Sequence, residues 1–227
     1  MPDASSAAIA RIALALGASE LFGKLRGELY AVKRRWSETA AFTIDRALVS
    51  GFGVRAYGVH VNGYVRRADG LHLWIGTRSA DRDVEPGKLD NMVAGGQPAG
   101  LTLMANLVKE CGEEADIAPA LARTARPVGS ISYAFSAPKG VKADTMFCFD
   151  LEVPEDFTPR NTDGEIAAFQ LLPLPDVLAL VRDTEQFKFN VNLVVLDFAI
   201  RHGALYPDLE PDFERIVAGL RRRPEVD

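Results

Sequence analysis

Three glutamates stand close together in the middle of the chain, at Glu110, Glu113 and Glu114. On a helix, residues three and four positions apart are neighbours, so this spacing places the three carboxylates on one flank. Clustered carboxylates repel one another and raise each other's pKa unless a cation neutralises them. Carboxylate oxygens suit Mg²⁺ or Mn²⁺, which also bind the oxygens of a phosphate group. The spacing therefore predicts a metal site for phosphate chemistry with these three ligands.

The segment that carries the glutamates has the pattern of an amphipathic helix. Thr102 is a suitable N-cap because its hydroxyl can accept a hydrogen bond from a free backbone N–H, and we expect the helix to run to about Glu114. One stripe is apolar, as in a face that packs on a core; it consists of Met104, Leu107, Val108 and Cys111. An acidic flank alone is more often a solvated surface. The glycine-rich loop before this helix favours a functional site instead.

The run from Gly95 to Ile117, GGQPAGLTLMANLVKECGEEADI, resembles the Nudix box. The resemblance implies that the three glutamates bind the metal and act in catalysis. It also implies that Gly95, Gly96 and Lys109 lie on the substrate-binding side of the box.

Three positions depart from the usual box. Leu101 stands where the family has its first Glu, Lys109 replaces an Arg, and Asp116 replaces the final Gly. The first Glu and the Arg commonly pair in the family, so losing both is less disruptive than losing either one. We interpret Leu101 and Lys109 as one coupled substitution.

The resemblance extends over about 42–213 through the phrases LWIGTRS, PGKLDNMVAGGQPAG, NLVKECGEEA and PEDFTPRNTDGEI. These phrases resemble the Nudix domain that is found alone or fused to thiamin pyrophosphokinase. The resemblance implies a Mg²⁺-dependent diphosphatase that converts thiamin diphosphate, or its damaged oxo and oxy forms, to the monophosphate. Two alternatives stay open: a pyrophosphatase of ADP-ribose or another nucleoside diphosphate derivative, and a non-catalytic metabolite-binding module.

Further candidate site residues lie outside the box. Glu165 follows Asp163-Gly164 and precedes an apolar strand, where many Nudix enzymes place another carboxylate that binds metal or acts as a base; an ordinary loop acid is the alternative. Arg78 could hold a phosphate through two hydrogen bonds or be a surface arginine. Asp90 and Asn91 could line the substrate pocket or cap a turn.

The elements that must position these residues alternate between helix and strand patterns. Two helices are expected between Ser5 and about Arg35, broken near Gly17, and Asn62-Gly63 predicts the tight turn of a hairpin. A hairpin requires antiparallel pairing, so we expect an α/β/α sandwich with a mixed sheet. The predicted parts are an N-terminal helical extension (1–50), a Nudix domain (51–185) and C-terminal helices packed on it (186–227).

Composition excludes several classes of protein. The 227 residues are 48% hydrophobic and carry a net charge of -5, which argues against a nucleic-acid-binding surface. The two cysteines lack the spacing of a zinc site or disulfide framework. No apolar run suggests a membrane span or an export signal. We therefore expect a cytoplasmic protein whose partner is a small-molecule diphosphate, with homodimerisation left open.

Overall fold

The computed structural model describes residues 2–15, 24–82, 84–222 and 224 of the chain. The helices are α1 (Pro2–Ala15), α2 (Leu103–Ala115), α3 (Pro119–Ala122), α4 (Leu174–Asp183), α5 (Phe189–Arg201) and α6 (Phe213–Arg221). The strands are β1 (Leu29–Val32), β2 (Phe42–Asp45), β3 (Ala56–Arg67), β4 (Gly70–Arg78), β5 (Leu89–Asn91), β6 (Val93–Gly96), β7 (Arg126–Ala137), β8 (Gly140–Glu152) and β9 (Ile166–Pro173). None of the helices described has the length and apolar character that crossing a bilayer requires.

Strands β3 to β9 form one sheet. β5, β4, β3, β8 and β7 lie side by side in that order, while β6 pairs with β3 and β9 pairs with β4. β3 and β8 run parallel, and the other pairs are antiparallel. The mixed sheet expected from the sequence is confirmed.

The hairpin turn lies at a different position from the one predicted. Asn62 and Gly63 are in the middle of β3, and the chain reverses after Arg67, where Gly70 begins β4 with a φ of 127°. A Cβ on Gly63 would lie 2.1 Å from the end of the Met92 side chain, so a larger residue here would displace Met92. Asn62 is buried and hydrogen-bonded through its side chain.

Helices cover both faces of the sheet. Val59 and Val61 of β3 belong to the same buried cluster as Leu107 and Cys111 of α2. Tyr64 of β3 faces the other way and packs in a second buried cluster with side chains of β4, α4 and α5. Because neighbouring strand residues point to opposite faces, one strand supplies both cores. This is the α/β/α sandwich that the sequence predicted.

The N-terminal extension is helical only in part. Its described helices are α1 and a short 3₁₀ helix (Arg46–Leu48), and the chain from Leu29 forms the antiparallel β1–β2 pair where we had expected a second helix. The predicted break at Gly17 lies outside the described residues. Tyr30, Ile44 and Leu48 of this region form a buried cluster with Ala13 of α1. The local sequence pattern favoured a helix here. Packing in this separate small core stabilises strands instead.

A chain of hydrogen-bonded, buried polar side chains links the central strands of the sheet to α5. His60 Nδ1 lies 2.9 Å from Asn91 Oδ1, Asn91 donates to Asn62 Oδ1 at 3.0 Å, and Asn62 donates to Asp150 Oδ1 at 3.1 Å. Asp150 also contacts the Arg201 guanidinium and His202. The chain joins β3, β5, β8 and α5, so several elements must be placed correctly together for these groups to be satisfied.

The His60 imidazole predicts a measurable pH dependence of stability. Burial, reinforced by Lys188, lowers the pKa of His60 from 6.5 to about 4. Between these values the unfolded chain binds the proton and the folded chain does not, so stability present above pH 6.5 is lost as the pH falls towards 4. We expect a loss of about 3 kcal/mol from this group.

Replacing the imidazole isolates this contribution from the carboxylates that titrate in the same range. In His60→Asn, which keeps a polar group beside Asn91, the decrease in unfolding free energy between pH 6.5 and pH 4 should shrink by that amount. Urea denaturation at several pH values measures it. Identical pH profiles for the variant and the wild type would contradict the assignment.

Candidate functional site

Helix α2 has the ends that position the glutamates. Thr102 is the N-cap, as predicted, and its Oγ1 accepts a hydrogen bond from Ala105 N at 3.2 Å. Asp116 ends the helix in the left-handed conformation, with a φ of 53°. Glycine is the residue best suited to that backbone, and aspartate is one of the few others that adopt it. The departure at Asp116 therefore preserves the helix end.

Two of the predicted ligands, Glu110 and Glu114, are buried where α2 packs on β6. Glu114 Oε2 accepts a hydrogen bond from the Ala94 N–H at 2.8 Å. A Cβ on Gly95 would lie 2.2 Å from the carboxyl carbon of Glu110, so a residue with a side chain would displace that carboxyl. β6 therefore provides both a hydrogen-bond donor and the space for the acidic side chains.

The surroundings of the two buried carboxyls disfavour their negatively charged forms. Burial raises the pKa of Glu114 well above its usual range, and the carboxylates of Glu110, Asp90 and Glu165 raise it further. Burial also raises the pKa of Glu110, although Lys109 opposes the effect. In the described part of the chain, Glu114 has a backbone hydrogen bond but no ion pair with a basic side chain. A cation bound here would relieve the repulsion.

Glu113 lies on the exposed side of the pair. Its carboxylate is 2.6 Å from Lys109 Nζ, which also reaches Glu110 Oε1 at 3.2 Å. Among the described residues, no three histidine, cysteine or acidic side chains are grouped closely enough to hold a metal ion by themselves. Mg²⁺ commonly binds to one or two protein carboxylates and completes its shell with water and phosphate oxygens. The donor set fits such an ion.

Glu165 lies near the two buried glutamates. It precedes β9, and its charge contributes to the raised pKa of both Glu110 and Glu114. Its own carboxylate pairs with Arg82 Nη1 at 2.5 Å and is partly exposed. Glu165 is therefore electrostatically coupled to the candidate site, with a basic side chain from the β4–β5 connection beside it, and its role there stays a prediction.

The structure gives Arg78, Asp90 and Asn91 roles inside the protein. Arg78 is buried and donates to Asp90 Oδ2 at 2.7 Å and to the carbonyls of Val84 and Glu85. Asn91 belongs to the polar chain with His60. These hydrogen bonds tie the Arg78 guanidinium to Asp90 and to the loop before β5, and the predicted phosphate contact by Arg78 stays a prediction. Asp90 and Asn91 are likewise buried, and their predicted place in the substrate pocket stays a prediction.

Two residues at the site were missed by the sequence analysis because they come from the N-terminal extension. A Cβ on Gly96 would lie 1.6 Å from the Tyr30 hydroxyl oxygen, so that hydroxyl fills the space beside the glycine. Burial raises the pKa of Tyr30, and Glu110 is one of the charges that act on it. Arg46 lies 5.9 Å from the Tyr30 ring and interacts electrostatically with Glu165. Neither residue belongs to a motif.

Comparison with curated proteins gives two relatives from Arabidopsis thaliana. The chain is 44% identical over 207 residues to Nudix hydrolase 20, chloroplastic, covering 91% of this chain and 55% of that protein. It is 44% identical over 220 residues to Nudix hydrolase 24, chloroplastic, covering 97% of this chain and 60% of that protein. The chain therefore spans less than two thirds of the length of either relative. A family described as a domain of unknown function, DUF4743, matches residues 1–56.

Solved structures with a similar fold include a NUDIX domain. The crystal structure of DR0079 from Deinococcus radiodurans matches with a TM-score of 0.53 and 24% identity, covering 74% of this chain and 96% of that one. The NUDIX domain of Shewanella oneidensis NrtR, complexed with ADP ribose, matches with a TM-score of 0.50 and 12% identity, covering 65% and 88% of the two chains. At these identities the likeness shows the fold alone.

A pair of glycine substitutions tests the close approach of β6 to Glu110. Gly95→Ala should give a folded protein with activity reduced about tenfold or more, because the new Cβ displaces the Glu110 carboxyl. Gly112→Ala, on the same helix as Glu110 but with open space around the added Cβ, should stay active and gain roughly 0.5–1 kcal/mol of stability. Steady-state kinetics and thermal unfolding of both variants measure these effects. Equal activity in the two variants would refute the steric argument.

Proposed function

Because the chain is related to the Nudix hydrolases over nearly its whole length and shares the fold of a NUDIX domain, we propose that it is a divalent-metal-dependent hydrolase of a phosphoanhydride bond. The observation that carries the proposal is the buried pair Glu110 and Glu114. Their pKa values are raised, and Glu114 has no basic partner in the described part of the chain. Such an arrangement suits a site that is completed by a cation.

Mg²⁺ or Mn²⁺ is the proposed cofactor, with Glu110 and Glu114 as ligands from the protein and Glu113 at the exposed edge of the site. When bound, the metal supplies Lewis-acid polarisation of the phosphate oxygens. The hydrogen bond from Ala94 N–H holds one oxygen of Glu114, which leaves its other oxygen for the ion. Asn106 donates to the Gly96 carbonyl at 2.8 Å and so fixes the strand end beside the site.

Glu165 is the proposed general base. Water attacks one phosphorus of the diphosphate, the bond from that phosphorus to the bridging oxygen breaks, and the leaving phosphate departs with the bond's electron pair. The proton of the attacking water passes to the Glu165 carboxylate, which is partly exposed and therefore reachable by solvent. Arg82 Nη1 contacts one oxygen of this carboxylate, which leaves the other oxygen to accept the proton.

Thiamin diphosphate, or its oxo or oxy form, is the proposed substrate, with the monophosphate as a product. Support comes from the sequence phrases on either side of the box, which lie on loops and strand ends where substrate-reading residues tend to occur. The NrtR NUDIX domain was crystallised with ADP ribose, and the fold alone does not select between these compounds. The departures from the usual box at Leu101 and Lys109 favour the competing hypothesis, a non-catalytic metabolite-binding module.

Location and assembly stay predictions. The expected cytoplasmic location contrasts with the names of the two Arabidopsis relatives, which are chloroplastic. Homodimerisation and the expected absence of nucleic-acid and membrane partners likewise stay predictions.

The metal assignment predicts the effect of Glu114→Gln. We expect a folded variant with activity reduced about 10²-fold or more, because a metal-positioning carboxylate is lost. We also expect Mg²⁺ to raise the Tm of the wild type but not that of the variant, since binding to the folded state alone is stabilising. Glu155→Gln, which removes an exposed carboxylate paired with Arg67, is the matched control and should behave as wild type. Near-normal turnover of Glu114→Gln would contradict the assignment of Glu114 as a metal ligand.

The substrate assignment predicts the order of specificity constants. At one Mg²⁺ concentration, kcat/KM should be highest for thiamin diphosphate or for its oxo or oxy analogue, with ADP-ribose, NADH and deoxynucleoside triphosphates below. A higher value for ADP-ribose or a deoxynucleoside triphosphate than for every thiamin compound would overturn the substrate. Binding of these compounds with no hydrolysis of any would favour the non-catalytic module.

A further inference from the structure

The Tyr30 side chain carries a hydroxyl without a partner close to the buried glutamates. Tyr30 is 7% exposed, and its hydroxyl makes no hydrogen bond with any residue that the structure describes. Buried polar groups nearly always have a hydrogen-bond partner, so such a hydroxyl indicates a place for a water molecule or a ligand. Burial raises the pKa of Tyr30, so the phenol stays protonated at neutral pH and can donate a hydrogen bond.

The hydroxyl lies at the end of β6, next to the residue against which Glu110 packs. A Cβ on Gly96 would lie 1.6 Å from the Tyr30 hydroxyl oxygen, and a Cβ on the preceding Gly95 would lie 2.2 Å from the Glu110 carboxyl carbon. The charge of Glu110 also acts on Tyr30. The free hydroxyl and a proposed metal ligand therefore flank the last two residues of the same strand.

Arg46 is a neighbour of Tyr30 on the N-terminal extension. It begins the 3₁₀ helix for which Asp45 is the N-cap, and its N–H donates to the Glu28 carbonyl at 2.9 Å. Its guanidinium carbon lies 5.9 Å from the centroid of the Tyr30 ring. The backbone contacts fix the position of the arginine, and the ring contact places a positive charge beside the phenol.

Most of the Arg46 guanidinium is available to a ligand. Nη1 donates to Glu28 Oε2 at 3.0 Å, and the guanidinium has no second hydrogen-bond partner among the described residues. A guanidinium has five N–H donors in a planar fork, which matches two oxygens of a phosphate. The Arg46 side chain is 39% exposed, and an ion pair as exposed as this one contributes little to stability. Arg46 can therefore contact a phosphate at little cost to the fold.

Other basic side chains near the buried glutamates are paired with acidic residues of the candidate site itself. Lys109 contacts two of the glutamates of α2, and Arg82 contacts Glu165. The partner of Arg46 is Glu28, which is not one of the proposed ligands or the proposed base, yet Arg46 also interacts electrostatically with Glu165. A phosphate bound to Arg46 would therefore leave the ion pairs within the site intact.

We propose that Tyr30 and Arg46 bind a phosphate group of the substrate, with the hydroxyl donating to one phosphate oxygen and the guanidinium to others. The proposal rests on the proposed hydrolase function for the identity of the substrate as a diphosphate. Any organic diphosphate would make the same contact, whatever group is attached. The family match to residues 1–56 includes both side chains, so this extension completes the phosphate-binding side of the site.

Methylenediphosphonate, whose P–C–P bridge cannot be hydrolysed, tests the contact without turnover. With Mg²⁺ in excess, calorimetric titration of the wild type should give saturable binding. Arg46→Gln should weaken this binding about tenfold or more and Tyr30→Phe about fivefold or more, because each loses hydrogen bonds to a charged phosphate. No saturable binding by the wild type, or an unchanged affinity in either variant, would overturn the proposal.

Glu28→Gln is the matched control, because it removes the same ion pair and keeps the guanidinium. It should shift the Tm as Arg46→Gln does, but it should bind methylenediphosphonate at least as tightly as the wild type. Arg46→Lys should restore only part of the affinity, since it keeps the charge and loses the planar fork. An equal loss of affinity in Glu28→Gln and Arg46→Gln would show that the ion pair acts through the fold, and would refute the phosphate contact.

Steady-state kinetics distinguish a failure of this contact from a failure of the hydrolase function. Binding that depends on Arg46, in a protein that hydrolyses no diphosphate, would refute the hydrolase function and support the contact. Hydrolysis with the wild-type KM in both Arg46→Gln and Tyr30→Phe would refute the contact and support the hydrolase function. With both proposals correct, Arg46→Gln should raise KM about tenfold or more.

Discussion

The close approach of α2 to β6 is the contact on which the candidate site depends. Gly95 lets the Glu110 carboxyl lie against the strand, and the same strand donates a backbone hydrogen bond to Glu114. The carboxyls thereby become buried in a place where their charge is unfavourable until something neutralises it. Thr102 and Asp116 fix the two ends of the helix, so the acidic side chains are held on a rigid element and not on a loop.

The N-terminal extension extends this arrangement beyond the central sandwich. It has its own core, yet its Tyr30 hydroxyl fills the space beside Gly96, and the Ala99 N–H donates to the Leu29 carbonyl at 2.7 Å. The loop before α2 is therefore held by the sheet on one side and by β1 on the other. The strand end beside the buried glutamates is thereby connected to the N-terminal extension through a few residues of one loop.

Periodicity and local motifs predicted those elements that are determined by residues close together in the sequence. Helix α2, its Thr102 cap, the mixed sheet and the sandwich all followed from the sequence. Asn62-Gly63 was misread as a turn because its composition suits a hairpin, whereas the packing of Met92 against Gly63 is invisible without the tertiary structure. The buried hydrogen bonds of Arg78 could not be predicted for a similar reason, since its partners become apparent only when the loop before β5 is folded around it.

The family match to residues 1–56 ends at the first residue of β3, yet side chains on the two sides of that boundary pack together, since the Trp36 ring lies 5.2 Å from the Tyr57 ring. Trp36 lies on one side of that boundary and Tyr57 on the other. A recombination between relatives at this junction would take the two rings of this contact from different parents. Because the rings pack edge to face, a change in the size of one ring would require a compensating change in the other.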